Sequence, residues 1–171
     1  IIKVIMRSIF DRTLFVLGRA VIVAVPAGAL IWLLANLHIN EISLLNHISS
    51  CLDPFAKLIG MDGVILISFV LGFPANEIVI PIMLMTYMAT GNLIEYESLE
   101  SLKTILVNNG WTITTAICVL IFSLCHFPCS TTCLTIKKET GSLKWTLIAF
   151  IIPTVIGILL CFLINNILNF I

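Results

Sequence analysis

Gly72-Phe73-Pro74-Ala75-Asn76-Glu77 lies in the middle of an apolar run, 63–91, in which Glu77 is the one charged side chain. Proline has no amide hydrogen and its ring clashes with the preceding turn, so a helix entering this run stops near Phe73. Pro81 follows soon after. Two full membrane crossings need about 40 residues, and 63–91 holds 29. The length predicts a re-entrant hairpin of two half-helices, with a single kinked span as the alternative. A second apolar run, 111–136, is interrupted in the same way at His126-Phe127-Pro128-Cys129-Ser130-Thr131. Both breaks place polar residues directly after Phe-Pro. Paired, proline-interrupted apolar segments point to a transporter's midplane site. An ordinary proline kink in a packed helix is the blander reading of either break alone.

Outward from the breaks lie two further apolar runs, 14–37, interrupted only by Arg19, and 145–171, which has no charge. Sixty per cent of the chain is apolar, 11% is charged, and mean hydropathy is +1.15. So few charged groups cannot cover a soluble domain, whereas lipid tails solvate apolar side chains directly. The expected fold is an all-α membrane protein with transmembrane helices, a re-entrant hairpin and a proline-broken helix. Its segments are a basic cytoplasmic stretch (1–13), a span (14–37), an interfacial amphipathic helix (38–62) bent by Pro54, the hairpin (63–91), an external amphipathic segment (92–110), the broken span (111–136), a cytoplasmic loop (137–144) and a last span (145–171). Lys3, Arg7 and Arg12 at one end, and Lys137, Lys138 and Lys144 later, set this orientation, because basic loops stay inside. Four full spans would put the later lysines outside. Arg19 is expected to reach the cytoplasmic headgroups. With no Met before Ile1, the chain reads as a piece of something longer.

Several function classes drop out. The formal net charge is zero, and no basic stripe supports nucleic-acid binding. Phosphate-binding, dinucleotide and His-Glu-x-x-His motifs are missing from the sequence, so no catalysis is assigned. Six cysteines lie mostly in apolar stretches, where free thiols behave as small hydrophobes.

The polar residues at the breaks carry the remaining interest. An ionised carboxylate at membrane depth costs about 2.5–3.5 kcal/mol even on insertion scales. Glu77 therefore either favours the start of the second half-helix or meets a cation. Asn76 beside it caps that half-helix or offers an amide oxygen to a metal. Cys129, after Pro128, is placed where the helix is open, and thiolate prefers softer transition metals while imidazole suits iron, so Cys129 and His126 form a candidate pair. A lone His in an apolar helix is otherwise a packing residue. Cys125, Cys129 and Cys133 share a four-residue spacing that Pro128 disturbs, which argues against a three-thiolate cage. Gly72, Pro74, Pro128 and Ser130 are the candidate joints of a gate.

Gly-Phe-Pro-Ala-Asn-Glu at 72–77 with Ile-Val-Ile-Pro at 78–81, Phe-Pro-Cys at 127–129, and Ile-Lys-Lys-Glu-Thr-Gly-Ser-Leu-Lys-Trp at 136–145 together resemble the C-terminal membrane region of the ferrous iron transport protein B family. The resemblance implies bacterial inner-membrane, multi-pass uptake of Fe²⁺. It further implies an N-terminal GTPase domain using GTP and Mg²⁺ and a first gate repeat, both outside these residues. Small cytoplasmic Feo proteins and a homo-oligomer are implied as partners beside the lipid bilayer. It points to Cys129 as the gate cysteine, and His126 departs from the apolar residue expected there. Gate hairpins are also similar to those of concentrative nucleoside transporters, an analogy of fold and not of substrate. Two other functions stand beside iron transport: a gate module for nucleosides or another organic solute, and a non-transporting membrane scaffold.

Overall fold

The computed structural model describes residues 2–39, 41–93 and 98–170. The side chains of Lys3, Asp11, Arg12 and Arg19, and residues 94–97 of the external segment, lie outside that description. Among the described residues eight α-helices carry the fold: α1 (Ile2–Asn36), α2 (Leu44–Leu58), α3 (Gly63–Leu71), α4 (Val79–Met88), α5 (Leu99–Asn108), α6 (Ile113–Cys125), α7 (Ser130–Thr140) and α8 (Leu143–Phe170).

Among the described residues three stretches are long and apolar enough to cross a membrane: Val16–Asn36, Ile113–Thr140 (α6 with α7) and Leu143–Leu168. Their apolar side chains point largely outward; Ile22, Leu124 and Ile152 are all more than half exposed. Apolar exposure on this scale is what lipid covers and water does not. The all-α membrane architecture read from the sequence holds.

The segment expected to be one interfacial helix starts differently. His38–Ile39 and Ile42–Ser43 pair as a minimal antiparallel ribbon (β1 and β2), with Glu41 at φ 67° between them. A helix cannot pass through that left-handed residue. Ser43 then caps α2 by accepting from the Asn46 N–H at 3.3 Å. Pro54 lies inside α2, and the sharp change of direction, 108°, falls at 59–62. The basic 137–144 segment differs too: α7 carries helix through Lys137, Lys138 and Glu139. Nothing in that sequence opposes a helix until Gly141, whose φ of 63° suits the residue that ends one.

The run 63–91 folds as a hairpin. Its legs, α3 and α4, have 9 and 10 residues, about 15 Å each at 1.5 Å per residue and so about half a bilayer core. α3 packs chiefly on α2 and on α4, while α6 and α7 pack on α8. Crossing of α2 and α3 is close: a Cβ on Gly63 would sit 1.8 Å from the Ser49 carbonyl oxygen. One core joins Ile65, Phe69, Met83 and Phe122 with Cys118 and Cys161. Those two thiols are fully buried, and Cys161 Sγ donates to the Cys118 carbonyl at 3.2 Å, so they are packing residues.

A polar chain closes the open end of the hairpin. Asp62 Oδ1 caps α3 by accepting from the Ile65 N–H at 2.7 Å, and Asp62 Oδ2 accepts from the Tyr87 hydroxyl at the end of α4. Trp111, just before α6, donates its indole N–H to the Tyr87 oxygen at 2.9 Å. Tyr87→Phe removes the donor to Asp62 Oδ2 and the acceptor of the Trp111 N–H, and a hydrogen bond contributes about 0.5–1.5 kcal/mol. Thermal unfolding in detergent should show a lower midpoint for Tyr87→Phe; an unchanged midpoint would assign this chain of contacts no structural weight.

Candidate functional site where two broken helices meet

At the first break, α3 ends at Leu71 and the Gly72 N–H donates to the Ser68 carbonyl at 2.8 Å. A Cβ on Gly72 would come within 2.3 Å of Val79 Cγ2, so the absence of a side chain lets the second leg fold back here. Asn76–Ile78 form one 3₁₀ turn that leads into α4. At the second break, α6 ends at Cys125 and His126 is extended at φ −76° and ψ 174°. Helix resumes at Ser130, with Cys129 as its N-cap residue.

The two breaks touch. The Ser130 N–H donates to the Phe73 carbonyl at 2.8 Å, and the Ser130 hydroxyl donates to the Pro74 carbonyl at 3.3 Å. Each break thus supplies what the other lacks: carbonyls no longer used within a helix meet donors at the start of a new one. Aromatic rings close around the junction. Phe73 lies 5.9 Å from both Phe127 and Phe150, and Phe127 stacks on Phe150 at 4.8 Å.

Cys129 stands at this junction, half-buried. Its Sγ is 3.2 Å from Thr131 Oγ1 and 3.1 Å from Thr132 Oγ1. A thiol has one hydrogen, so at least one of these hydroxyls donates to sulfur. Thr131 and Thr132 were not singled out by sequence reasoning, although two hydroxyl residues in the first turn after a Cys are a readable signal. Cys133 instead turns its thiol to the Pro128 carbonyl at 3.5 Å, so the cysteine series is not a cage.

Glu77 and Asn76 lie in the 3₁₀ turn, both exposed. Neither supplies a capping hydrogen bond to the turn or to α4. Among the described residues Glu77 makes no hydrogen bond or ion pair. His126 packs against Phe69 and Phe127 with ring centres 5.1 and 5.3 Å away. It lines the same cavity as Asn76, a space of about 430 Å³. Another cavity, of about 540 Å³, separates the hairpin tip at Pro74 and Ala75 from Ala24, Ala27 and Gly28 of α1. Among the described residues no three His, Cys, Asp or Glu side chains converge as a metal site. Among the described residues the junction therefore presents its candidate ligand atoms singly.

Residues 17–143 match the Gate family, described as nucleoside recognition. The chain belongs to that family. This Gate chain is 30% identical over 128 residues to the Fe(2+) transporter FeoB of Leptospira biflexa serovar Patoc, covering 72% of the chain and 19% of that protein. It is 28% identical over 173 residues to the Fe(2+) transporter FeoB of Staphylococcus aureus strain MSSA476, covering 95% of the chain and 24% of that protein. The chain thus spans about a fifth to a quarter of the relatives' length. No solved structure matches it. The resemblance to the ferrous iron transport protein B family is borne out, and Gate membership accounts for both interrupted segments, which lie inside the matched residues.

Proposed function

We propose that this chain is the C-terminal gate half of a bacterial inner-membrane Fe²⁺ permease. The direct contact between the breaks, Ser130 on Phe73 and Pro74, carries the reading. Two joints that hydrogen-bond to each other move together, and the sulfur of Cys129 sits beside them. Fe²⁺ is the cargo, met by the thiol of Cys129 as a soft ligand and drawn in by the carboxylate of Glu77, which has no ion-pair partner among the described residues. Gly72, Pro74, Pro128 and Ser130 act as hinges, and the apolar space beside the hairpin tip gives the tip room to swing toward α1.

In this reading, 1–13 and 137–144 face the cytoplasm and the chain crosses the membrane more than once. The remainder of the full-length protein supplies the first gate repeat and a GTPase domain with its GTP and Mg²⁺. Small Feo proteins and further copies of the protein are its partners. Proteoliposomes of the full-length protein test this, with radiolabelled Fe²⁺ and uridine offered in parallel. Fe²⁺ accumulation without uridine accumulation is expected. Uridine uptake alone would install the organic-solute reading, which the Gate family's description and the largely apolar cavity beside Asn76 favour. Uptake of neither would leave the scaffold.

A further inference from the structure

We propose that Asn36 and Asn165 are positioning residues that anchor the base of the hairpin to α1 and α8, so that its tip, 72–78, moves in transport while its base stays; this rests on the permease reading above. Asn36 ends α1. Its Nδ2 donates to the Gly91 carbonyl, just past the second leg of the hairpin, at 2.9 Å, and to the Trp32 carbonyl one turn back at 2.9 Å. Asn165 belongs to α8, and its Nδ2 donates to the Lys57 and Leu58 carbonyls at 3.1 and 3.2 Å. Those carbonyls close the last turn of α2, where a helix runs out of amides of its own, shortly before α3 begins. Each end of the hairpin is thus tied to a different long helix.

The two ties are built alike. Each amide faces a glycine with left-handed backbone, Gly91 at φ 70° and Gly60 at φ 73°. A Cβ on Gly91 would come within 2.8 Å of Asn36 Oδ1, and one on Gly60 within 3.0 Å of Asn165 Oδ1. Both asparagines are half-buried within the apolar runs 14–37 and 145–171. An amide in apolar surroundings is costly without its hydrogen bonds, so these contacts resist opening. At the same end, the Tyr87 hydroxyl on Asp62 joins the two legs to each other.

The tip is held differently. It meets the second break through Ser130, on the Phe73 and Pro74 carbonyls. Space of about 540 Å³ lies on its α1 side and of about 430 Å³ on its α6 side. A hairpin tied at its mouth and given room at its tip swings about its base. Sliding as a rigid body would first break the three amide contacts to Gly91, Lys57 and Leu58.

Hydrogen exchange of the full-length protein in lipid nanodiscs, read by mass spectrometry with and without Fe²⁺ under anaerobic conditions, tests this. In the wild type, Fe²⁺ should change exchange at 72–78 and leave 57–62 and 88–93 unchanged. Fe²⁺ uptake by proteoliposomes is the second readout. Two lost hydrogen bonds shift an equilibrium about fivefold or more, and one about twofold or more. Asn165→Leu should lower the maximal uptake rate by the first factor and Asn36→Leu by the second, with half-saturating Fe²⁺ unchanged because no candidate ligand is touched. In both variants the Fe²⁺-dependent change in exchange should spread to the base. Asn166→Leu is the control: Asn166 Nδ2 donates within α8, to the Phe162 carbonyl at 2.8 Å, so uptake and exchange should match the wild type. Equal Fe²⁺-dependent change at tip and base, or none at the tip, in a wild type that takes up Fe²⁺ would overturn the proposal even if neither variant folds. Wild-type uptake by Asn165→Leu, or a matching loss in Asn166→Leu, would overturn it too. Failure of the permease reading shows separately, as absent Fe²⁺ uptake by the wild-type protein.

Discussion

Cys129→Ser in the full-length protein should reduce Fe²⁺ uptake at least about tenfold, the scale on which metal sites lose affinity when even a supporting group is removed, while GTP hydrolysis stays largely intact. The substitution changes size little and keeps a hydrogen-bonding atom beside Thr131 and Thr132, so the first turn of α7 persists. What it removes is polarisable sulfur, and a serine hydroxyl is a far poorer partner for a soft or borderline cation. The effect is large because no three His, Cys, Asp or Glu side chains converge elsewhere among the described residues, leaving little to compensate. Uptake by proteoliposomes and phosphate release, measured on the same preparation, separate the two activities. Wild-type uptake by Cys129→Ser would take this thiol out of the path. Equal loss of both activities would mean that the substitution acts by unfolding.

Gly63→Ala should be the most damaging single methyl in the described chain. Its Cβ would lie 1.8 Å from the Ser49 carbonyl oxygen and 2.7 Å from the Ser49 carbonyl carbon. Backbone cannot rotate away as a side chain can, so α2 and α3 must separate. Overpacking a core costs about 1–3 kcal/mol when side chains can adjust, and this site should reach or exceed the top of that range. The Gly63 N–H also donates to Asp53 Oδ1 at 3.0 Å, a bond lost if the helices part. Gly28→Ala is the control: nothing lies within 4 Å of its would-be Cβ. Replacing a helical glycine by alanine favours the helix by about 0.5–1 kcal/mol. Monodisperse yield and thermal midpoint in detergent should fall sharply for Gly63→Ala and hold or rise for Gly28→Ala. Equal behaviour of the two would contradict the packing of α3 on α2.

Much of the fold is written locally. Pro74 and Pro128 announce their breaks, because a missing N–H acts wherever the chain goes. The shortness of 63–91 excludes two crossings by arithmetic alone. Other features depend on partners distant in sequence. The start of α2 hinged on Glu41 adopting a left-handed backbone, which residue type does not foretell. The 108° turn at 59–62 brings Gly63 against the Ser49 backbone, and α7 runs through a lysine pair that reads as loop. At the site, Cys129, Glu77, Asn76 and His126 were visible as polar residues in an oily setting. Their arrangement was not, and neither were the two threonines at the sulfur.

Composition and proline placement, which act through solvation and the backbone's own donors, determined by themselves that this is a helical membrane chain with two interruptions. Tertiary structure decided that the interruptions bind each other, that Cys129 stands at their junction, and that His126 shares a cavity with Asn76. Those arrangements join residues distant in the chain, Pro74 by a hydrogen bond from Ser130 and Asn76 across a shared cavity to His126. Tertiary packing closes that distance, and no local preference of the chain contains it.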